Sequence, residues 1–222
     1  MDGFQLKDAF IEGGIPFNRV HGMHSFEYPG KNPRFNHVFN TATMNHTTFV
    51  MYNILDAYKG FVQHLNQVIM DVGGGLGVSL RFITSKYPSI KGINFDLPHV
   101  FQHASSIPGV EHVAGDMFQN VPKGDAIFIK NDDDCLKLLK NSYKVIPDEG
   151  KFVVVDCMLP DVPNTSSGVR ATCQADVVMM TQIPGGKERT KQELEALVSK
   201  AGFSGIRYEC YVCNFWVMEL FK

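Results

Sequence analysis

Short apolar segments alternate with helix-like segments from residue 68 to the end of the chain. The strand-like segments are 68–72, 90–95, 110–114, 126–129 and 151–155, and the helix-like ones are 78–86, 98–105, 135–145, 169–181 and 191–201. Residues 205–221 hold two strand-like segments with no room for a helix between them. Such alternation is typical of a parallel sheet covered on both faces. The sequence therefore predicts an α/β fold, a doubly wound, Rossmann-like and mostly parallel sheet closed by a C-terminal antiparallel hairpin.

The first 46 residues carry a weaker periodicity. Turn signals occur at residues 13–17 and 28–30, where Gly and Pro cluster. We expect residues 1–46 to be irregular and turn-rich, with a short helix over 6–12, and we expect Phe26, Phe35 and Phe39 to pack against other side chains. Residues 47–59 have apolar side chains at helical spacing, which predicts a helix there.

Composition excludes several classes of function. The 222 residues include 21 Lys and Arg against 23 Asp and Glu, a net charge of -2, so a nucleic-acid partner is not expected. No apolar run approaches the roughly 18 residues that cross a bilayer, and the N-terminus lacks the pattern of a signal peptide. Five cysteines in a core-rich chain indicate reduced thiols and a cytoplasmic location. Cys210 and Cys213 lack a second ligand pair, so no metal site is predicted.

A glycine loop, residues 71–77, follows the first predicted strand. Glycine lets the backbone turn sharply and approach a ligand, and open α/β sheets bind ligands at the carboxyl ends of their strands. No Lys follows Gly77, which argues against a phosphate-binding P-loop. Val78 and Leu80 stand where a dinucleotide loop has its third glycine. The remaining pattern, acidic-x-Gly-x-Gly-x-Gly, is typical of S-adenosylmethionine (SAM) sites.

The next two strands end on groups that suit the same ligand. Asp96 follows the second strand, and a carboxylate there can accept hydrogen bonds from both ribose hydroxyls. Asp116 follows the third strand and could accept from an adenine amino group, and Met117 offers a polarizable apolar surface. Each Asp alone could be a turn-capping residue. Their succession at three strand ends favours a SAM site.

Longer stretches carry a family resemblance. They are residues 13–18, 33–36, 71–77, 92–100, 109–113 and 184–190. In these stretches the chain resembles plant caffeic-acid-type and flavonoid O-methyltransferases along nearly its whole length. The resemblance implies the class I methyltransferase sheet, a SAM cofactor with S-adenosylhomocysteine as its product, a small phenolic substrate and no metal.

The resemblance also implies two sets of binding residues. The residues expected to contact the cofactor are Thr47, Gly73, Asp96, Leu97, Asp116, Met117 and Lys130. The residues expected around the aromatic substrate are Phe35, Phe39, Met44, Ala175, Val178 and Met179. Met and Phe at helical spacing are also common core residues, so core packing remains the alternative for the second set.

The family's reaction uses a His that removes the phenol proton, oriented by two acidic residues. Asp156 and Glu188 correspond to those acidic residues. The family reads Lys-Trp-x-x-His-Asp-Trp before an acidic run that leads to Cys-Leu-Lys. This chain passes directly from Lys130 to Asn131, so the segment with the His base is missing between them. His46 is the alternative candidate for a base.

The resemblance further implies how the chain is organised. Residues 1–46 would be a linker and substrate-pocket segment that remains from an interdomain region, and 47–222 would be the SAM-binding domain. The family is homodimeric through a helical N-terminal domain, which we expect to be absent here.

Three candidate functions are compared against these observations. The first is SAM-dependent methylation of a phenylpropanoid or flavonoid hydroxyl. The second is a catalytically impaired relative or partner subunit that binds the cofactor without chemistry. The third, nicotinamide-dependent oxidoreduction, conflicts with the glycine spacing of residues 73–80.

Overall fold

The structure is a computed structural model and describes residues 2–64, 67–130 and 135–222. Its contacts divide the chain into two compact units. The first unit comprises Met1–Ala42 and Cys157–Lys191, and the second comprises Thr43–Asp156 and Gln192–Lys222. The boundary expected between residues 46 and 47 stays a prediction. Within the described ranges, no helix combines the length and apolar character that a membrane span requires.

The described residues form nine strands. They are β1 (Val68–Val72), β2 (Lys91–Asp96), β3 (Val110–Ala114), β4 (Ala126–Lys130), β5 (Lys151–Asp156), β6 (Met158–Leu159), β7 (Arg189–Thr190), β8 (Gly205–Val212) and β9 (Phe215–Phe221). Seven of them make one sheet in the second unit, in the order β3-β2-β1-β4-β5-β9-β8. β6 and β7 make a separate parallel pair in the first unit. The predicted doubly wound sheet is confirmed.

The helices lie between the strands, as the alternation predicts, and also before them. They are α1 (Leu6–Glu12), α2 (Pro16–His21), α3 (Tyr28–Lys31), α4 (Pro33–Ala57), α5 (Val78–Lys86), α6 (Cys135–Val145), α7 (Ser167–Gln182) and α8 (Lys191–Ala201). Short 3₁₀ segments cover Asp2–Gln5, Gly60–His64 and Val100–His103.

The C-terminal hairpin closes the sheet antiparallel to its other strands. β9 pairs antiparallel with both β5 and β8. Only Cys213 and Asn214 connect β8 to β9, with φ angles of 51° and 68°. Left-handed conformations at both positions match the right-handed twist of paired strands, and Asn adopts them readily. The predicted hairpin is therefore confirmed, and Cys213 occupies its turn.

The central parallel strands are buried on both faces, as the apolar sequence pattern predicts, whereas β3 at the edge is not. In β1, β4 and β5 nearly every residue is buried. Helix α5 packs on β2, where Gly92 leaves room for Leu80: a Cβ on Gly92 would lie 3.1 Å from both Leu80 methyl carbons.

The prediction that residues 1–46 are irregular is wrong. Helices α1, α2, α3 and the first half of α4 occupy most of that segment. Helix α4 begins at an Asn-Pro pair, where the Asn32 side-chain oxygen accepts from the Phe35 N–H at 3.0 Å and Pro33 fills the first helical position. Its first turns keep apolar side chains such as Val38 exposed, so they lack the periodicity that marks a buried helix.

The helix predicted over 98–105 is also wrong in type and length. The structure has a 3₁₀ segment of four residues, Val100–His103, in its place. Pro98 and the Pro at position 108 bracket a stretch too short for a stable helix. The short helix over 6–12 is confirmed.

A buried ionic cluster joins Tyr58, the residue that follows α4, to the C-terminal strands. Glu219 in β9 is 3% exposed and accepts a hydrogen bond from the Tyr58 hydroxyl at 2.5 Å. Lys151 lies 3.0 Å from the same carboxylate, which also accepts from Arg207. Burial alone would raise the pKa of Glu219, but the hydrogen bonds from Tyr58 and Lys151 outweigh it and lower the pKa. Glu219 is therefore ionised although it is buried in the core.

Replacing Tyr58 with Phe should destabilise the chain. The change removes a buried hydrogen bond to a carboxylate, and bonds to charged groups are worth about 1.5–3 kcal/mol. Urea denaturation should show a loss of that size in the free energy of unfolding. Tyr208→Phe is the matched control, because that hydroxyl makes a long, exposed contact of 3.4 Å to Glu195. Equal losses in both variants would contradict the role of the Glu219 cluster.

Candidate cofactor site

The glycine loop between β1 and α5 is a tight turn that only glycine fits. Gly73, Gly75 and Gly77 have φ angles of 70°, 58° and 78°, in the left-handed region that favours glycine. A Cβ on Gly74 would lie 2.1 Å from the Asn94 Oδ1 and 2.7 Å from the Asp71 Oδ2. Beside Gly75 a Cβ would meet no described atom within 4 Å. The loop thus leaves open space over its own backbone.

Asp96 ties this loop to the end of β2. Its Oδ2 accepts from the Gly75 N–H at 2.8 Å, and its Oδ1 accepts from the Leu97 N–H at 2.7 Å. Burial raises the pKa of Asp96, while these two backbone hydrogen bonds lower it in part. Each carboxylate oxygen keeps further lone-pair capacity for a ligand hydroxyl.

The segment after β3 approaches the same loop. The Met117 sulfur would lie 3.8 Å from a Cβ on Gly73, so its thioether lies over the start of the loop. Asp116 accepts from the Phe118 N–H at 2.8 Å and from the Gln119 side chain at 3.1 Å. Asp116 is therefore a turn-capping residue, which does not exclude a ligand contact, because a carboxylate has lone pairs to spare.

The remaining predicted cofactor residues lie in the same unit. Lys130 ends β4, the neighbour of β1, and its Nζ lies 5.6 Å from the centre of the Phe215 ring. Thr47 on α4 is 6% exposed, whereas Leu97 after β2 is 38% exposed. The structure therefore brings Met117 close to Gly73, and Asp96 accepts hydrogen bonds from Gly75 and from Leu97.

The predicted substrate residues lie on two helices. Phe35 and Phe39 stack on α4 with ring centres 6.0 Å apart, and Phe39 is 45% exposed. Met44 lies further along α4 and is half-buried. On α7, Ala175, Val178 and Met179 have the spacing of one helical face, and Val178 is 45% exposed. Partly exposed apolar side chains suit contact with an aromatic ligand as well as packing.

The two acidic residues of the predicted catalytic set are both buried. Asp156 ends β5 and Glu188 precedes β7, and each is 8% exposed. The Glu188 N–H donates to the Asp176 carboxylate at 2.8 Å, which anchors the Glu188 backbone to α7. Asp156 belongs to the second unit and Glu188 to the first.

His46 lies near the end of β4. Its ring centre is 5.6 Å from that of Phe215, which Lys130 also contacts. Burial, and then the charge of Lys130, lower the pKa of His46, so the imidazole stays neutral and able to accept a proton. The segment that should carry the family's His would follow Lys130, and residues 131–134 lie outside the described part of the chain.

Cys210 and Cys213 are both free thiols and half-buried. Burial raises the pKa of each, so both are protonated at neutral pH. Within the described ranges, no group of three or more His, Cys, Asp or Glu side chains could hold a metal ion. The metal-free reaction that the resemblance implies stays a prediction.

Comparison with known proteins identifies the family to which this chain belongs. The O-methyltransferase domain family matches residues 4–204. The chain is 58% identical to catechol O-methyltransferase 1 of Solanum lycopersicum, an alignment that covers 99% of this chain and 62% of that protein. It is 54% identical to a caffeic acid 3-O-methyltransferase of Catharanthus roseus, over 99% of this chain and 61% of the relative. The chain thus spans less than two thirds of the length of these curated relatives.

Solved structures show the same fold. LaPhzM superposes with a TM-score of 0.88 at 26% identity, over 99% of this chain and 68% of that one. Human N-acetylserotonin methyltransferase in complex with SAM has a TM-score of 0.86 at 22% identity, over 100% of this chain and 66% of that one. The class I methyltransferase fold is therefore confirmed. On the extent and identity of its sequence matches, the chain belongs to the O-methyltransferase family that includes plant caffeic acid and catechol O-methyltransferases.

Proposed function

We propose that this chain binds SAM and transfers its methyl group to the hydroxyl of a small phenol, of the phenylpropanoid or flavonoid class. The observation that carries the proposal is the Asp96 carboxylate, which holds the glycine loop by the Gly75 N–H at 2.8 Å beside open space. Relatives at 54–58% identity are named for catechol and caffeic acid, both of them phenols.

The cofactor contacts follow from the geometry of the strand ends. The Asp96 oxygens would accept from the ribose hydroxyls, and Asp116 from the adenine amino group. Leu97 and Met117 would contact the apolar faces of the nucleoside, and the backbone of Gly73 would lie against it. Thr47 and Lys130 complete the proposed contacts.

The methyl transfer needs an acceptor oxygen that has lost its proton. When bound, SAM supplies an electrophilic methyl group. We propose that the residues around the phenol are Phe35, Phe39, Met44, Ala175, Val178 and Met179. Asp156 and Glu188 are proposed to orient the imidazole that takes the phenolic proton, because a carboxylate beside an imidazole fixes its tautomer and stabilises its charged form.

His46 is the proposed substitute for the family's His. A positioned base contributes about 10²–10⁴-fold to rate, so a poorly placed substitute implies slow turnover. The alignments to the relatives from Solanum lycopersicum and Catharanthus roseus run over 234 and 225 residues, longer than the 222 of this chain, so those relatives carry residues in the matched region that this chain lacks. This length difference is the observation behind the second candidate function, a cofactor-binding relative with impaired chemistry, which the family matches do not favour. A cytoplasmic location and a homodimer both stay predictions.

Asp96→Asn should weaken SAM binding roughly ten- to hundredfold, since a hydrogen bond to a charged group is worth about 1.5–3 kcal/mol. Isothermal titration calorimetry with SAM measures the effect. Asp125→Asn is the matched control, because Asp125 accepts from the Val68 N–H at 2.7 Å at the opposite end of β1. Absence of SAM binding in the parent chain, or equal weakening in both variants, would contradict the proposed site.

His46→Ala should abolish any residual methyl transfer, whereas His37→Ala, an exposed His on the same helix, should not. Because the pKa of His46 lies below the ordinary 6.5, the base stays deprotonated to lower pH. The rate should therefore hold steady as pH falls to about 6.5 and decline only below it. A pH profile of labelled product checks this, and a rate that His46→Ala leaves unchanged would exclude His46 as the base.

A further inference from the structure

Two buried polar side chains lie side by side beneath the glycine loop. Asp71 in β1 and Asn94 in β2 are direct partners in the parallel register. Asp71 is 2% exposed and Asn94 is 0% exposed. The point where a Cβ on Gly74 would lie is 2.7 Å from Asp71 Oδ2 and 2.1 Å from Asn94 Oδ1, so these oxygens are near neighbours.

The orientation of the Asn94 amide is fixed by its other contacts. His112 Nε2 lies 3.1 Å from the Ser105 carbonyl oxygen, which can only accept, so Nε2 carries the proton. His112 Nδ1 is then an acceptor, and it lies 3.0 Å from Asn94 Nδ2. The same nitrogen donates to the Gly75 carbonyl at 2.9 Å. Both hydrogens of the amide are thus used, and Oδ1 is the amide atom that lies near Asp71 Oδ2.

Two acceptor oxygens therefore lie close together in a buried place. Neither Asn94 Oδ1 nor Asp71 Oδ2 has a hydrogen-bond partner among the described residues. A buried acceptor without a donor costs about 1–3 kcal/mol, and two acceptors that lie close together also repel each other. One proton on the carboxyl group would satisfy both oxygens at once.

We propose that Asp71 is protonated in the folded chain and donates its Oδ2 hydrogen to Asn94 Oδ1, and that this neutral pair positions the glycine loop for the cofactor. Asp71 acts through Asn94, whose amide nitrogen holds the Gly75 carbonyl, so it is a positioning residue. The binding part of this inference rests on the proposed function, whereas the protonation of Asp71 does not.

The surrounding charges agree with this assignment. Burial raises the pKa of Asp71 to about 7, and the nearby Asp96 carboxylate adds to the rise. A hydrogen bond from the Ser79 hydroxyl and the charge of Lys130 oppose it. His112 faces Asn94 from β3, with its Nδ1 at 3.0 Å from Asn94 Nδ2.

The stability that this neutral pair contributes should depend on pH. Because the folded pKa of Asp71 lies above that of an unfolded chain, the stability that the neutral pair contributes is present in full at low pH. It is lost as pH rises through about 7. The affinity for SAM should fall over the same interval.

The direct test is spectroscopic and uses the intact chain. Infrared difference spectra and carboxyl ¹³C NMR of Asp-labelled protein, parent against Asp71→Asn, should show one protonated carboxyl that ionises near pH 7 and is absent from the variant. A carboxyl group at position 71 that ionises near the ordinary value of about 3.9 would overturn the proposal.

Calorimetry with SAM tests the positioning role. An Asn at position 71 keeps a donor toward Asn94 without an ionisable proton, so Asp71→Asn should remove the loss of affinity above pH 7 that the parent shows. Asp71→Leu has no donor and should bind about tenfold more weakly at every pH. Equal weakening by Asn and Leu would overturn the positioning role. Where Asp71→Leu fails to fold, the parent titration and Asp71→Asn still decide.

The two proposals fail in different ways. A protonated carboxyl without measurable SAM binding would contradict the proposed function and support the assignment of the buried pair. Ordinary ionisation of Asp71 together with tight SAM binding would overturn the buried pair and support the proposed function.

Discussion

The candidate site depends on how closely one backbone residue is held against the end of β2. The Gly75 N–H donates to Asp96 Oδ2 at 2.8 Å, and its carbonyl accepts from Asn94 Nδ2 at 2.9 Å. The two side chains are two positions apart on one strand, so they project to the same side. Gly74 must lack a side chain for this contact, since a Cβ would fall on Asn94 and Asp71. The conformation of the loop and its open upper surface both depend on this close packing of Gly74 and Gly75 against β2.

The order of the strands places the polar residues of the candidate site at one edge of the sheet. β2, β1 and β4 are neighbours and parallel, so Asp96, the glycine loop and Lys130 lie at adjacent strand ends. The Lys130 charge acts on two groups there: it lowers the pKa of Asp71 and also that of His46. It thereby favours the ionised form of the acid and the neutral form of the imidazole. A parallel sheet concentrates polar groups at this edge because its interior is apolar on both faces.

Much of the second unit could be predicted from sequence, because each strand and helix there carries its own apolar period. The bounds of α5, α6 and α8 agree with the periodicity, and the two strand-like segments expected in residues 205–221 are β8 and β9. The helices of residues 1–46 were missed because exposed residues such as Val38 break the pattern of burial. The Asn32-Pro33 helix start was the signal that could have found α4.

The sequence predicted the site residues at the strand ends, but it did not predict the residues that hold the glycine loop from below. Gly73, Asp96 and Met117 are recognisable from motif and resemblance, and the structure places Met117 near Gly73 and Asp96 against Gly75. Asn94 and His112 lie in stretches that resemble the family, but the sequence assigned them no role, because their role arises from the parallel register that places Asn94 beside Asp71 and His112. Register is a tertiary property, so no local pattern reveals it.

Transfer of a labelled methyl group tests the central claim most directly. The chain would be incubated with isotopically labelled SAM and a panel of catechols, hydroxycinnamates and flavonoids, with products read by mass spectrometry. A chain with the family's Lys-Trp-x-x-His-Asp-Trp segment restored after Lys130 serves as the positive control. We expect slow formation of a labelled methyl ether by this chain and faster formation by the restored one. Product from the restored chain alone would contradict methyl transfer and leave a cofactor-binding relative.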